Sequence, residues 1–257
     1  ATRSGTVRRN EISDFEQINR AGKIAMKLDP GDMIAGVEIC TERDDVHLTT
    51  AQGQCIRFPV EEVRVFKGRD STGVRGMSLK GGDDVISLSI LRRSGASPEE
   101  REAYLRAAPW KDNENETTLS AERMAEMAER EQFILTVCAN GYGKRSSAYE
   151  YRRTGRGGQG ITNIDNIARN GAVVASFPAQ DQAQIMLVTD QAKMIRMKVS
   201  DMRVIGRNTA GVRLFDVADK EQIVSAALIE AEDDPAEDTD IIDATSPDEA
   251  IGATEAE

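Results

Sequence analysis

Residues 46–58 read VHLTTAQGQCIRF: a β-prone run, a polar turn holding Gly53, then a second run bearing Arg57. The run–turn–run shape predicts an antiparallel hairpin. It returns in FILTVCANGYGKRS (133–146) and QIMLVTDQAKMIRM (184–197), while ATRSGTVRR (1–9) matches its second half. A second element follows each hairpin, in NRAGKIAMKL (19–28), DSTGVRGMSL (70–79), GGQGITNI (157–164) and NTAGVRLFDV (208–217). These align on Gly22, Gly73, Gly160 and Gly211. Counted from Gly5, Gly53, Gly141 and Gln191, the gap to that glycine is 17, 20, 19 and 20 residues. Each copy closes on a polar turn and an apolar strand: DPGDMIAGVEI, GGDDVISLSIL, ARNGAVVASF and DKEQIVSAALI. Gly22 to Gly73 and Gly160 to Gly211 are both 51 residues, whereas the middle interval is 87.

A unit of roughly 50 residues with about four short strands is the signature of a propeller blade. The expected fold is therefore all-β, a β-propeller or β-pinwheel of repeated four-stranded blades with about four blades present. The first copy lacks the apolar run before its turn. The chain is accordingly expected to begin inside a blade and to be a C-terminal piece of something longer, since a blade missing a strand exposes an unpaired edge.

The expected organisation is blades over 1–91 (the first incomplete), a helical insertion over 92–132, blades over 133–229, and a disordered acidic tail over 230–257. In the insertion, Ser97, Pro98 and Glu100 form a capping-box start for one helix. Ser120 caps a second, whose Met124, Met127 and Ala128 make a short apolar stripe. PWKDNENETT (109–118) is the polar loop between them. The tail holds twelve acidic side chains and no basic one, too little apolar content to offset ordering entropy. It is either solubilising or a polyanion mimic that competes for a basic surface on the same molecule.

The formal net charge of −11 belongs to that tail. Without it, residues 1–229 carry +1; the insertion contributes −3, which leaves about +4 on the repeats. Hydrophobic residues are 39% and aromatics 4%, so the core is aliphatic. No stretch approaches the ~18 apolar residues of a membrane span, and no secretory leader is recognisable. Cys40, Cys55 and Cys138 form no C-x-x-C pair and read as buried thiols of a reducing compartment, with no metal role. Catalytic constellations are absent: the single histidine, His47, fits an alternating strand, and no H-E-x-x-H or G-x-S-x-G occurs. YRRTGRGGQGI (151–161) has neither the Lys nor the helix start of a phosphate loop.

Basic residues recur at matching places in the repeat. After the first turn stand Arg8 and Arg9, then Arg57, then Lys144 and Arg145, then Arg196 and Lys198. Around the second glycine stand Arg20 and Lys23, then Arg69 and Arg75, then Arg152, Arg153 and Arg156, then Arg207 and Arg213. Equivalent positions on successive blades share one rim, and a rim of cations suits a duplex backbone, which asks for charge rather than base-reading groups. These sixteen residues are the expected DNA contacts. The glycines are expected to let the chain approach the sugar–phosphate backbone.

NGYGKR, GRNTAGV and STGVRG, at this spacing and with an acidic tail beyond the last blade, make the chain resemble the C-terminal domain of the DNA gyrase A subunit. The resemblance covers nearly all of 1–229 except the insertion. It implies a six-bladed β-pinwheel that wraps double-stranded DNA around a basic outer rim, in the service of an ATP-dependent type II topoisomerase, an isomerase that introduces negative supercoils. It implies as partners the rest of the gyrase A chain, with the gyrase B chain, in an A2B2 heterotetramer. It also implies a cytoplasmic, nucleoid-associated location and no membrane. It implies no cofactor here, ATP and magnesium being used elsewhere in the holoenzyme, and a non-catalytic segment: none of Tyr104, Tyr142, Tyr149 or Tyr151 is the family's nucleophile. The first two blades are missing by this count, and with them the family's Gln-Arg-Arg-Gly-Gly-Lys-Gly box. Thr154–Gly160 keeps Arg156, Gly157, Gly158 and Gly160 of that pattern but has Thr154, Gly155 and Gln159 where the box has Gln, Arg and Lys. The alternatives are the corresponding domain of topoisomerase IV, and a non-enzymatic propeller that binds protein partners with the tail as docking peptide.

Overall fold

The computed structural model describes residues 1–18, 20–68, 70–111, 115–165 and 168–229. The first half contains β1 (Thr6–Val7), β2 (Asp44–Thr50), β3 (Gln54–Pro59), β4 (Val74–Arg75) and β5 (Val85–Arg92). Two helices follow, α1 (Pro98–Arg106) and α2 (Ala121–Glu129). The second half contains β6 (Phe133–Cys138), β7 (Tyr142–Ser147), β8 (Ile161–Thr162), β9 (Val173–Pro178), β10 (Gln184–Thr189), β11 (Met194–Lys198), β12 (Val212–Arg213) and β13 (Ile223–Ile229).

Each repeat shares a strand with its neighbour. The described residues form two four-stranded sheets in the orders β5-β2-β3-β8 and β12-β7-β6-β9, a three-stranded sheet β11-β10-β13, and the pair β1-β4. In all but the three-stranded sheet, the final strand comes from the following repeat: β4 pairs with β1, β8 with β3, and β12 with β7. β5, β9 and β13 pack against one another in succession and form the inner line of the array. The two-residue strands β4, β8 and β12 therefore lie on the outer edge. This exchange makes the array an all-β pinwheel rather than a row of independent blades.

Burial follows position. β2 and β6 are buried along nearly their whole length because both faces meet neighbouring blades. Leu135, Val137, Ile185, Leu187, Val199 and Ile223 share one aliphatic core between the last two blades, and Leu48, Ile56, Phe58 and Val85 belong to another. A chain of buried polar side chains pairs internally, as groups away from water tend to: Tyr151 donates to Asn163 at 2.7 Å, and Asn163 donates to Thr136 at 3.0 Å. His47 meets Tyr151 edge-on at 5.2 Å, and burial pushes its pKa down to about 3, so it is a neutral core residue.

The insertion docks firmly. Ser97 closes the capping box with Glu100 at the start of α1, and Arg123 on α2 reaches Glu100 at 2.8 Å. Tyr104, Met127 and Ala108 pack against Tyr149 of the blade, with Trp110 and Met124 beside them. Buried Glu131 accepts from Tyr104 at 2.7 Å, from Ser147 at 2.5 Å and from Trp110 at 3.1 Å. That carboxylate joins insertion and blade. The expected acidic tail, 230–257, and the expected contact Arg69 lie outside the described residues.

Candidate nucleic-acid interface

The stretch 151–161 runs along the outer edge of the preceding blade. Arg153 bridges Arg57 in parallel, the chain turns, and Ile161 then pairs antiparallel with Cys55. Gly160 has φ +79°, and a Cβ there would stand 2.2 Å from the Cys55 carbonyl oxygen. Only glycine fits a left-handed position pressed so closely on a backbone. Gly73 and Gly211 sit equally tight, on the Val7 and Gly143 carbonyls at 2.4 and 2.5 Å. The aligned glycines thus approach the protein's own backbone in the blade before, not a sugar–phosphate chain. Gly22 shares the φ but would meet nothing within 4 Å.

The sixteen expected cations divide by register. The fourth residue after each left-handed turn is an arginine: Arg9, Arg57, Arg145 and Arg196. The last copy counts from Ala192 (φ 62°) rather than from Gln191. Three of the four sit at blade junctions, where Arg9 bridges Val65, Arg57 bridges Arg153 and Arg145 bridges Val204. Arg57 is buried, donating to Asp45 at 2.9 Å and to the Ala148 carbonyl at 3.0 Å. Arg145 is buried and pairs with Asp181. Arg9 pairs with Glu42 at 3.3 Å.

Lys144 is fully buried. It donates to the Gly206, Arg207 and Thr209 carbonyls of the next repeat, and burial lowers its pKa to about 8. Arg8 does similar work, donating to the Ser71 carbonyl and hydroxyl. Lys23 donates to the Asp14 carbonyl at 2.9 Å. As a correction to the rim expectation, the side chains of Arg57, Lys144 and Arg145 are interior: the repeat uses these cations to satisfy carbonyls and carboxylates between blades.

Arg156 and Arg207 form a second pair. Each donates its backbone N–H to a carboxylate (Glu62, Glu150), its Nε to that residue's carbonyl, and a terminal nitrogen to a third segment (the Arg75 and Thr162 carbonyls). They clamp the turn while Arg156 stays exposed. Arg153 is partly exposed and shared by Asp45 and Glu61 at 3.4 and 3.5 Å.

What remains is an exposed set. Arg75 and Arg213 stand on the outer strands β4 and β12. Arg152 is exposed, and so are Arg20, Arg196 and Lys198. Register counting from the structure adds two residues missing from the sequence expectation. The eleventh position after the left-handed turn is Arg64, Arg152 and Arg203 in successive blades, and all three are exposed. Each directly follows a buried residue that ends a short 3-10 turn: Val63, Tyr151 and Met202. The signal lay in the sequence: Arg64 and Arg152 each stand eleven residues after a turn glycine, and Arg203 joins them once the last turn is counted from Ala192. Arg169, also exposed, lies 4.7 Å over the Tyr142 ring.

Cys55 and Cys138 are buried thiols pushed up to about 12 by burial. Among the described residues no acidic, His or Cys group has metal-holding geometry, and no helix is long and apolar enough to cross a membrane.

The comparisons with known proteins agree with this geometry. The DNA gyrase A protein of Granulibacter bethesdensis is 47% identical over 96% of this chain, which spans 29% of that protein. That of Rickettsia bellii is 45% identical over 93% of the chain and 28% of its own length. The chain thus spans under a third of the curated relatives it matches. Among solved structures, a DNA gyrase A C-terminal domain superposes with TM-score 0.66 at 24% identity, covering 89% of this chain and 64% of that one. The C-terminal domain of a DNA topoisomerase IV gives 0.70 at 21%, covering 91% and 61%. The model of the DNA gyrase C-terminal domain, a β-propeller, matches residues 1–41, 44–92, 132–180 and 183–230, one stretch per repeat and none over the helices. The chain belongs to that family, the C-terminal domain of the DNA gyrase A protein.

Proposed function

We propose that this chain binds duplex DNA along its outer edge, bends it, and so supports the wrapping that an ATP-driven gyrase uses to introduce negative supercoils. The observation that carries the reading is the return of an exposed arginine, Arg64, Arg152 and Arg203, at one register in successive blades. Arg75 and Arg213 on the outer strands extend the same track. A duplex presents a phosphate every few ångströms and is held by such a row without base contacts. Bending costs ~1–6 kcal/mol per 20–30 base pairs, which the added phosphate contacts offset. In this reading the segment is non-catalytic and needs no cofactor of its own. It works with the remainder of the gyrase A chain and with the gyrase B chain, in the cytoplasm at the nucleoid. The interior cations hold the blades in the register that aligns the track. The gyrase reading is preferred over topoisomerase IV because the relatives compared are gyrase A proteins, whereas the fold is common to both.

The test is DNA affinity against salt. Each phosphate contact contributes ~0.9 to the slope of log K on log salt. Replacing Arg64, Arg152 and Arg203 together by alanine should lower that slope by roughly 2.7. An unchanged slope removes this register from the interface, and a salt-independent wild type favours the protein-binding propeller instead. The acidic segment 230–257 competes with phosphate in this reading, so its deletion tightens DNA binding; unchanged affinity leaves it a solubilising tail.

A further inference from the structure

Where β3 ends and α1 begins, a cavity of about 520 Å³ opens beside the turn Arg153–Gly155. Arg57, Arg93, Arg101 and Arg153 wall it, with Asp45 and Glu62. The blade before supplies Arg57, the connection to the insertion supplies Arg93, α1 supplies Arg101, and the outer-edge turn supplies Arg153. Three chain segments and the insertion thus bring four guanidinium groups to one place.

Their partners do not match them. Asp45, fully buried, is shared by Arg57 at 2.9 Å, Arg153 at 3.4 Å and Arg93 at 3.6 Å, while Glu61 is shared by Arg93 and Arg153 at 3.5 Å each. Glu62 faces the backbone N–H of Arg156 at 2.8 Å. Four guanidinium groups face these three carboxylates, and Glu99 at the start of α1 acts on Arg101 only through its charge. Arg101 is the least engaged of the four: among the described residues its side chain makes no ion pair or hydrogen bond, and its Nε is buried without a partner. The Arg93 Nε and one Asp45 oxygen also lack hydrogen bonds. Burial, and after it the charges of Arg101 and Arg153, lower the Arg57 pKa against the opposing pull of Asp45. Half-buried like charges with unused donors are costly unless an anion completes them. A phosphate group, with several acceptor oxygens, matches planar guanidinium forks.

We propose that this pocket is a phosphate-group site, through which the helical insertion adds Arg93 and Arg101 to the surface beside the outer-edge turn. The phosphate comes from the duplex on the track or from a free polyphosphate. The first source rests on the proposed DNA binding; the pocket itself does not.

The experiment uses the whole chain, with Arg101→Gln and the double variant Arg93→Gln/Arg101→Gln. Inorganic pyrophosphate is titrated and followed by NMR shifts of the Arg93, Arg101 and Arg153 resonances, and DNA affinity is measured against salt in parallel. Because Arg101 has no partner to lose, the single variant should keep the wild-type Tm. Saturable pyrophosphate binding in the wild type, weakened at least tenfold in the double variant, is the expected result. A DNA salt slope that also falls by ~0.9 per lost contact assigns the site to the duplex; an unchanged slope beside lost pyrophosphate binding assigns it to a free polyphosphate. No saturable binding, or binding equal in wild type and double variant, overturns the proposal. A wild type that binds pyrophosphate but no DNA leaves the pocket standing and defeats the proposed function.

Discussion

The blade of β6 and β7 and the blade of β10 and β11 are built on one sequence pattern and end differently. In the first, β12 of the next repeat closes the edge, β6 is buried along its length, and Arg145 is interior on Asp181. In the second, β11 is the edge strand, its residues alternate between exposed and half-buried, and Arg196 is exposed against Gln184. The same arginine in the same register is a junction group in one blade and a surface group in the other. A residue's role here is decided by whether a following repeat covers it, and the sequence of its own repeat does not carry that information.

The sharpest way to break the comparison is to remove the register arginine at a covered junction, Arg57 of the β2–β3 blade, and at the open edge, Arg196. Arg57→Ala leaves Asp45 buried with only its longer contacts to Arg93 and Arg153, and losing one partner of a buried pair costs about 3–5 kcal/mol. Arg196→Ala should stay within about 0.5 kcal/mol, as surface changes do. Urea unfolding of the two variants reads the difference directly, and equal losses would mean that junction burial is not what sets the role.

Glycine offers the next contrast. Gly160→Ala places a methyl 2.2 Å from a carbonyl oxygen on top of a left-handed φ, for a cost of about 3 kcal/mol or more. Gly22→Ala meets open space at the same φ, and should cost only the backbone strain of about 1–2 kcal/mol. Thermal melts that rank Gly22→Ala as the worse variant would contradict the packing described here.

The third contrast is a pH slope. Lys144 has its pKa lowered to about 8 by burial, against an ordinary 10.5. Between those values the unfolded chain binds more protons than the folded one, so its contribution to stability rises with pH across that window. Lys144→Met should lack that rise while losing stability overall, because three carbonyls lose their donor. Denaturation of wild type and variant at pH 7.5, 9 and 10.5 measures the difference in slope, and parallel curves would mean that Lys144 titrates normally.

Much of the fold was legible from residues. The hairpin of β2 and β3, the recurrence of its turn, and the capped helices interrupting the repeat are local patterns, and local patterns are set by periodicity, turn chemistry and capping. The candidate site was legible only in part. Arg75, Arg152 and Arg213 were named from spacing and are exposed. Arg203 was missed because the last copy turns on Ala192, which no turn rule selects, whereas Arg64 already stood eleven residues after Gly53, as Arg152 does after Gly141, and was passed over. Arg57, Lys144 and Arg145 were named for their charge, yet they lie inside.

The sequence by itself determined the repeat, its length and the supply of cations, because each is written within some fifty consecutive residues. Tertiary structure alone decided which cations face outward. A segment of the next repeat, bridging at Val204, lies along Arg145, and its equivalent Arg196 is exposed, while the packing of blade on insertion draws Arg57, Arg93, Arg101 and Arg153 into one pocket from segments far apart in the chain. Desolvation depends on what the rest of the chain places over a charge, and only the assembled blades supply that.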